Sequence, residues 1–534
     1  MLYNSNSVKF KHFTAAVALI LSTLCIMSGC KNVSEDVPVS DSIDTVSAEV
    51  GFDNVSSEIT TSETTENTTE AITEILENET ETALTELLTE NTDPEETNRK
   101  TGADTSPTTM SSDITLQQNT AAETYAETTA VTIQTESPSE TIVQTTAVQT
   151  EQPVQISYSG GTNSYSALNY KEQKGIWISY LEYDSILKNK SESSFRSSIK
   201  EYFDNVKALS FNTVYVQARA YGDAYYDSQL FPSGDRFSGT FGADVDFDPL
   251  QIMIEEAHSR GLSVHAWINP MRLMTDSQMK NVPDKYTIKK WYNDTDKNGR
   301  YVVKSGDRWY LNPAYSDVRQ LIADGITEII ANYDVDGIQI DDYFYPTTSA
   351  SFDSSAYSNS DTELSLSDWR IKNVNSMVKA LCKAVHSANS TAVFGISPQG
   401  SVANNYNDLY ADVKTWCSSS GYCDYILPQI YYGFDNAALP YENTITEWSN
   451  MTSSGNVKLV IGLAGYKIGA VDTYAGSDGK NEWVNNSDII SRQMALAKTL
   501  SNYGGVAIFR YGSIFTPSSD VSAQVSKELS NIEK

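Results

Sequence analysis

From about residue 171 onward, the chain alternates eight short apolar segments with eight amphipathic segments of helix length. The apolar segments are rich in β-branched and aromatic residues, as buried strands usually are. They span 175–181, 213–219, 263–269, 336–344, 393–399, 425–432, 457–465 and 505–511. The helices are expected to begin near Ser194, Asp248, Ser316, Ser367, Asn407, Tyr441, Ser487 and Ser518, and several of these are common N-cap residue types.

Eight consecutive strand–helix units predict a (β/α)8 barrel of the TIM type, in the α/β class, with long loops. A doubly wound open sheet is the alternative. It is disfavoured because the sequence has no glycine-rich phosphate-binding turn after a strand. For the same reason we expect no nucleotide cofactor, and no set of His and carboxylate ligands indicates a catalytic metal.

Most of the net negative charge lies before this barrel. The formal net charge is −31, and residues 31–157 account for −23 of it, with 26 Asp and Glu residues against three Lys and Arg residues. Residues 51–150 hold 28 threonines and only two aromatic residues, too little apolar surface to offset the entropy lost on folding. We therefore predict a disordered Thr- and Glu-rich linker over 31–170 and a barrel over 171–534. The lack of a basic cluster disfavours nucleic acid as a partner.

Residues 1–30 are typical of an export signal. Lys9, Lys11 and His12 are followed by an apolar stretch that is too short to remain in the membrane as a spanning helix. The stretch ends in Met-Ser-Gly-Cys at 27–30, which is similar to the bacterial lipobox except for the Met. That similarity implies lipidation of Cys30 and a protein anchored on the outer face of the cell membrane, reaching into the cell wall. An ordinary cleaved signal peptide is the alternative.

Three further cysteines, Cys382, Cys417 and Cys423, belong to the barrel region. An odd number without repeated CxxC spacing or paired His residues argues against a disulfide framework and against a zinc site. Cys417 and Cys423 could pair with each other, or all three could be buried free thiols.

In a (β/α)8 barrel, the reacting groups lie at the C-terminal ends of the strands. The polar and aromatic residues expected there are Arg219, His265, Trp267, Asn269, Arg272, Asp341, Asp342, Tyr343, Gln399, Gln429 and Tyr431. Carboxylates, amides and aromatic rings together suit a hydroxyl-rich ligand such as a sugar. The strand ends therefore predict a carbohydrate-active enzyme.

Seven segments occur in the order of one known family. They are VQARAYGDAYY (216–226), FDPLQIMIEEAH (247–258), HAWINPMR (265–272), DVDGIQIDDYFYP (334–346), WRIKNVN (369–375), GISPQG (395–400) and DYILPQIYY (424–432). Over about 174–515 the chain resembles the glycosyl hydrolase-like 10 family. The resemblance implies a (β/α)8 glycoside hydrolase, often a bacterial lipoprotein, that acts on peptidoglycan glycan strands, particularly strands stripped of peptides.

Glycosidic cleavage usually requires two carboxyl groups. Asp341, at the end of the fourth strand, is expected to be the charged one. Asp342 would point to the opposite side of a regular strand, unless a twist of the loop brings both into one site and raises the pKa of one of them. Its alternative role is a loop cap. Among the loop carboxylates Asp223, Asp227, Glu182, Asp184 and Glu482, we prefer Asp223 as an additional catalytic group.

Residues 334–346 also resemble the DGxDxDxE signature of chitinase-like enzymes, in which the acetamido group of the substrate is the nucleophile. Here Gln339 replaces one Asp, and Tyr343 occupies the position of the acidic Glu. The departure argues against membership in that group. It leaves open a variant in which Asp341 orients an acetamido group.

The remaining candidates are assigned to substrate binding. Polar contacts are expected from Arg219, His265, Asn269, Arg272, Gln399 and Gln429, and sugar stacking from Trp267, Tyr343 and Tyr431. The alternatives are a hydrogen-bonded interior position for His265 and packing at the top of the barrel for the aromatic residues. We thus expect a monomeric, anchored hydrolase of cell-wall glycan. A non-catalytic glycan-binding barrel and a hydrolase of another extracellular polysaccharide are the alternatives.

Overall fold

A computed structural model describes residues 163–452 and 455–532. Its strands are β1 (Gln173–Ile178), β2 (Thr213–Arg219), β3 (Ser263–Ile268), β4 (Arg272–Thr275), β5 (Val302–Ser305), β6 (Arg308–Leu311), β7 (Gly337–Ile340), β8 (Val393–Ile396), β9 (Tyr425–Ile426), β10 (Lys458–Ala464) and β11 (Tyr503–Phe509). Eight of them form a closed parallel barrel in the order β1-β2-β3-β7-β8-β9-β10-β11. These are the eight predicted strands, so the (β/α)8 barrel is confirmed. The open sheet is wrong, because β1 pairs with β11.

The α-helices of the described residues surround this barrel and fill its loops. They are α1 (Tyr180–Ile186), α2 (Glu192–Ala208), α3 (Pro249–His258), α4 (Asp276–Asn281), α5 (Thr287–Asn293), α6 (Ser316–Asn332), α7 (Ser354–Ser358), α8 (Leu366–Ala388), α9 (Val402–Asn407), α10 (Val413–Ser418), α11 (Tyr441–Met451), α12 (Gly476–Gly479), α13 (Glu482–Asn485), α14 (Ile489–Ala497), α15 (Tyr511–Phe515) and α16 (Ser522–Ile532). The predicted helix starts agree to within four residues, with one exception. The start near Asn407 is wrong, because α9 ends there and α10 begins only at Val413.

Local sequence explains where several helices begin. The side chain of Asp248 accepts a hydrogen bond from the backbone N–H of Gln251, and Pro249 occupies the first position of α3. At α1, Ser179 and Glu182 form a capping box. Each arrangement satisfies N–H groups that have no partner within the helix.

A three-stranded antiparallel sheet, in the order β4-β6-β5, lies between β3 and α6 in the chain. It was not predicted. The hairpin between β5 and β6 turns at Gly306, whose φ of 61° favours glycine. The sequence VVKSGDRWYL at 302–311 carries the signal, since Gly-Asp between two apolar segments is typical of a hairpin.

Large and small residues share one layer inside the barrel. His265 Nδ1 lies 2.7 Å from the hydroxyl of Tyr425, and both side chains are buried. Gly337 and Gly395 leave room for them: a Cβ atom on Gly395 would lie 1.8 Å from the Tyr425 ring. The barrel is therefore a packed core in which only the strand ends are open to a ligand.

The opposite end of the barrel is closed by residues 163–170. The hydroxyl of Tyr165 and the backbone N–H of Leu168 donate to Asp336 Oδ1, and Val264 N–H donates to Asp336 Oδ2. Asp336 thus serves the stability of the fold. Residues 163–170, which were predicted to belong to the linker, pack on the barrel in the structure.

Of the remaining predictions on chain organisation, some concern residues outside the described ranges and others concern residues within them. The signal segment, Cys30 and most of the linker lie outside the described residues. Within residues 163–452 and 455–532, no helix is long and apolar enough to cross a membrane. Cys382, Cys417 and Cys423 are buried free thiols, which decides against a Cys417–Cys423 bond.

Candidate active site

Two consecutive carboxylates occupy the C-terminal mouth of the barrel. Asp341 and Asp342 directly follow Ile340, the last residue of β7, and the chain turns there, with the N–H of Phe344 donating to Asp342 O. The alternation of a regular strand therefore stops before Asp342. Asp341 reaches the end of β3 and Asp342 reaches the segment after β9, so the loop brings both carboxyl groups to this mouth.

Asp341 is held by donors from neighbouring strands. Its Oδ2 accepts hydrogen bonds from Trp267 Nε1 at 2.9 Å and from Asn269 Nδ2 at 2.7 Å. Asn269 Oδ1 in turn accepts a hydrogen bond from Gln217 Nε2 at 2.6 Å, and Gln217 Oε1 accepts one from the backbone N–H of Tyr180 at 2.9 Å. This chain of bonds fixes the Asp341 carboxylate before any ligand binds, which is how a charged group is preorganised for catalysis.

Asp342 is less enclosed and is clamped by amides. Gln429 Nε2 donates to Asp342 Oδ1 at 3.0 Å and to the carbonyl of Ser397 at 3.1 Å. The side chain of Gln399 lies beside Asp342 and lowers its pKa. Gln429 therefore orients a carboxyl group that remains partly exposed to the cleft.

The environment resists ionisation of this pair. Burial raises the pKa of Asp341 well above its usual range, and the charge of Asp342 raises it further. Burial also raises the pKa of Asp342, although the hydrogen bond from Gln429 opposes this. Because neighbouring carboxylates do not readily ionise together, the pair retains one proton to a higher pH than an isolated Asp would.

The guanidinium group of Arg272 extends from the three-stranded sheet toward Asp341 and Asp342. Arg272, at the start of β4, places its guanidinium carbon 4.5 Å from the ring centroid of Tyr221 and 4.2 Å from that of Tyr343. Its charge lowers the pKa of both aspartates, and so opposes the effect of burial. The structure thus brings Asn269, Arg272, Tyr343, Gln399 and Gln429 together with the acid pair.

Two predicted binding residues do not reach this cleft. His265 is fully buried in the lower barrel layer, and burial lowers its pKa to about 3, so it is neutral and inaccessible. Arg219 points into the helical layer, with its guanidinium carbon 4.3 Å from the Phe231 ring centroid and its Nη1 beside Gly325 of α6. The structure therefore does not bring these two residues together with the acid pair, and their substrate contacts remain predictions.

The three aromatic candidates differ in exposure. Trp267 and Tyr431 are buried, with ring centroids 6.3 Å and 6.0 Å from that of Phe509. Tyr343 is 39% exposed at the mouth. Only Tyr343 therefore offers open ring surface for a sugar, whereas Trp267 positions Asp341 through its N–H group.

Asp223 is fully buried in the loop after β2. Its Oδ1 accepts the backbone N–H groups of Ala220 and Tyr221 at 2.8 Å and 2.9 Å. These contacts favour a role in shaping the loop, and the predicted catalytic role remains a prediction. Two other acidic candidates are similarly engaged: Glu182 binds Arg510 and the N–H of Gly512, and Glu482 accepts the N–H groups of Phe434 and Asp435.

We expect the Asp223→Asn variant to be more stable than the wild type at pH 7. Burial raises the pKa of Asp223 from 3.8 to about 6, so the folded state disfavours the charge. The wild type is therefore most stable below about pH 4, where Asp223 is protonated in the folded and the unfolded state. Its free energy of unfolding falls as the pH rises through about 6, where the folded state must lose this proton. The difference in unfolding free energy should reach up to about 3 kcal/mol at pH 7 and vanish near pH 4. Urea unfolding across this range measures it.

Exposed Asp227 provides the matched control for that experiment. Asp227→Asn should follow the wild-type dependence of stability on pH. Parallel curves for Asp223→Asn and the wild type would contradict the assigned environment of Asp223.

Comparisons of the sequence with known proteins identify a family. The family profile described as glycosyl hydrolase-like 10 matches residues 172–477. Glycosyl hydrolase YngK of Bacillus subtilis (strain 168) is 34% identical over 328 residues, covering 57% of this chain and 62% of YngK. Glycosyl hydrolase DigH of Escherichia coli (strain K12) is 29% identical over 367 residues, covering 63% of this chain and 82% of DigH. This chain thus spans less than two thirds of YngK.

Among solved structures, the glycoside hydrolase domain of PgaB (BpsB) from Bordetella bronchiseptica is similar with a TM-score of 0.43 and 14% identity. The match covers 67% of this chain and 99% of that domain.

The site combines two neighbouring carboxyl groups whose pKa values are raised by burial, a fixed set of N–H donors, and an exposed aromatic ring beside a guanidinium. Such a set can protonate a leaving oxygen and stabilise positive charge that develops on the neighbouring atoms.

Proposed function

Because the chain belongs to the glycosyl hydrolase-like 10 family, we propose that it hydrolyses glycosidic bonds with Asp341 and Asp342 as its reacting carboxyl groups. The observation that carries the proposal is their pairing at the mouth of the barrel. Burial and mutual repulsion keep one proton on the pair, and glycosidic cleavage requires one protonated and one charged group.

The hydrogen bonds favour one assignment of roles. Asp341 Oδ2 accepts two N–H donors, an arrangement that suits a carboxylate. Burial and the charge of Asp342 raise the pKa of Asp341, but its N–H donors oppose this and stabilise its charged form. Asp342 is partly exposed to the cleft, where its proton can reach a substrate oxygen, and we therefore assign the proton to Asp342. In the proposed reaction Asp342 is the general acid and Asp341 is the charged partner.

The adjacency of Asp341 and Asp342 helps to identify the group that attacks the sugar as nucleophile. A glycosidase with a carboxylate nucleophile carries its two carboxyl groups about 5–5.5 Å apart, on opposite sides of the scissile bond. Here consecutive residues provide both groups, and Glu182 and Glu482 are engaged by backbone N–H groups or by Arg510. We therefore assign the nucleophile to an acetamido group on the substrate.

The proposed reaction has two steps, cleavage of the glycosidic bond and hydrolysis of a cyclic intermediate. Asp342 gives its proton to the glycosidic oxygen while the acetamido oxygen bonds to C1 and the C1–O bond breaks. Asp341 accepts a hydrogen bond from the acetamido N–H and stabilises the positive charge of the cyclic intermediate. Water then attacks C1, the Asp342 carboxylate takes a proton from it, and the acetamido group is restored with the configuration at C1 retained.

The proposed substrate is peptidoglycan glycan, particularly strands that carry few peptides. Its sugars bear acetamido groups, and the family resemblance points to the same glycan. We also propose that lipidation of Cys30 anchors the protein to the outer face of the membrane and that residues 31–162 act as a tether into the wall.

A panel of defined glycans tests the function. The purified chain should release new reducing ends from peptide-free strands, and mass spectrometry of the products would identify the cleaved linkage. Binding of the strands without turnover would instead favour a glycan-binding barrel. Cleavage of a different polysaccharide would support the hydrolysis of glycosidic bonds but assign it to another substrate.

A further inference from the structure

Exposed hydrophobic side chains are confined to one face of the described structure. Over residues 163–452 and 455–532, six large hydrophobic side chains are exposed: Tyr343, Leu364, Tyr406, Val471, Tyr474 and Val484. The first two follow β7, the third follows β8, and the other three follow β10. Loops that follow the strands of a closed parallel barrel emerge at its C-terminal end, the end that carries Asp341 and Asp342. Scattered exposed hydrophobic residues need no explanation, but their restriction to the catalytic face does.

Tyr474 is the most exposed of these side chains, at 74%, and it belongs to a tightly held loop. The buried carboxylate of Asp472 pairs with Lys467 Nζ at 2.7 Å. The carbonyl of Ala475 accepts the N–H of Ala437, in the loop that follows β9, at 2.8 Å. The loop backbone beside Tyr474 is therefore fixed while the ring is open to solvent, which lowers the entropy cost of binding through that ring.

Tyr406 is 41% exposed on α9, the short helix that follows β8. This helix is tied to the acid pair through Gln399. Asn405 Nδ2 donates to the carbonyl of Gln399 at 2.7 Å, and the Gln399 side chain lies beside Asp342. Tyr406 is thus carried by an element that is bonded to the surroundings of the reacting carboxyl groups.

The strand order sets the distance that a ligand must cover to reach these rings. Strands β7, β8, β9 and β10 are consecutive in the barrel, so the loops that carry Tyr343, Tyr406 and Tyr474 follow one another around the mouth. Neighbouring strands lie about 4.8 Å apart, so β7 and β10 are separated by roughly 14 Å along the barrel wall. A ligand that contacts all three rings is therefore longer than a single sugar.

The neighbours of Tyr406 and Tyr474 in the sequence favour a hydroxyl-rich ligand. Tyr406 lies in NNYND at 404–408 and Tyr474 in VDTYAGSD at 471–478, where Asn, Asp, Ser and Thr residues accompany the ring. A surface that binds another protein usually has a contiguous apolar centre inside a polar rim. Single aromatic rings among hydrogen-bonding side chains suit sugars, whose C–H faces are apolar and whose edges carry hydroxyl groups.

We propose that Tyr406 and Tyr474 stack on sugar rings of the substrate away from the cleaved bond, as remote subsites that continue the cleft at Asp341 and Asp342. The proposal rests on the function proposed above. It adds a property that the acid pair does not determine, a preference for long glycan chains over short ones. Tyr343 then contacts the sugar nearest to the cleaved bond, and Tyr406 and Tyr474 contact sugars farther from it.

Peptide-free glycan strands separated by length test these subsites. In the wild type, kcat/KM on strands of about ten or more sugars should exceed the value on the shortest cleaved oligosaccharide by about tenfold or more, because each covered ring removes apolar surface from water. Tyr474→Ala should lose most of this preference and Tyr406→Ala part of it, whereas Tyr474→Phe should keep a large part because the ring remains. Lys383→Ala, which truncates an exposed side chain on α8, is the control and should match the wild type at both lengths.

Calorimetry in the Asp342→Asn background separates the subsites from turnover. Affinity that rises with strand length, and falls when Tyr474→Ala is added, supports the subsites even if the wild type hydrolyses nothing, in which case the proposed function fails alone. Equal kcat/KM on long and short strands, or an equal loss at both lengths in Tyr474→Ala, would overturn the subsites while hydrolysis stands. Self-association of the wild type in sedimentation that Tyr474→Ala abolishes, without a change in glycan affinity, would also overturn them and assign the ring to a contact between copies of the chain.

Discussion

The Asp342→Asn variant is expected to lose about 10²–10⁴-fold in kcat/KM on a natural glycan, the usual contribution of a general acid. Asparagine keeps the volume of the side chain. Its amide oxygen can still accept the hydrogen bond that Gln429 Nε2 donates to Asp342 Oδ1 at 3.0 Å in the wild type. What it removes is the proton for the departing sugar oxygen, and an alkoxide is a very poor leaving group.

The leaving group separates this role from a general loss of structure. A dinitrophenolate departs without a proton, so the variant should lose far less activity on a dinitrophenyl glycoside of the same sugar. Asp227→Asn, which changes an exposed aspartate of another loop, should retain wild-type activity on both substrates. Equal losses on both substrates in Asp342→Asn would remove Asp342 from the acid role.

The dependence of activity on pH also tests whether Asp342 supplies the catalytic proton. Burial raises the pKa of both aspartates, so the proton required for catalysis persists above the usual carboxyl range and activity is lost as the pH rises through the raised pKa. Asp342→Asn should remove this alkaline limb. At low pH a second proton neutralises Asp341, and activity falls again.

The sequence predicted the scaffold well because a closed parallel sheet imposes a simple pattern. Each barrel strand is buried on both faces, so each appears as an apolar run followed by a helix. Asp341, Asn269 and Gln429 could be assigned to one site because the strand ends of such a barrel converge.

The differences between the predicted and the observed positions of site residues arise where strands depart from regular geometry. Arg219 was expected to contact substrate at the end of its strand, but the pairing of β2 with β3 shifts register between Gln217 and Arg219. The shift turns Arg219 toward α6. His265 shares its parity with Trp267 and Asn269 but lies deeper, since parity gives the face of a strand and not the depth in the barrel. The hairpin of β5 and β6 was not predicted because it lies inside a long loop.

The Asp341→Asn variant should lose about 10²–10³-fold in kcat, comparable to the removal of one preorganised electrostatic group from an active site. In contrast to Asp342→Asn, the loss should be similar on the natural glycan and on the dinitrophenyl glycoside. The reason is that Asp341 stabilises charge on the substrate and not on the leaving group. Because burial already disfavours the charge of Asp341, the neutral variant should fold, which thermal unfolding would verify.

The acetamido group itself can be varied in the wild type. Replacing acetyl with mono-, di- and trifluoroacetyl withdraws electrons from the amide oxygen and weakens it as a nucleophile. If this oxygen attacks C1, the rate should fall steadily along the series, by at least tenfold overall, or about 1.4 kcal/mol in the barrier. A rate independent of fluorination, or a sugar ester trapped on Asp341 by a 2-fluoro glycosyl fluoride, would show that Asp341 is the nucleophile. The retained configuration at C1 is common to both routes, so the fluorinated series is what distinguishes them.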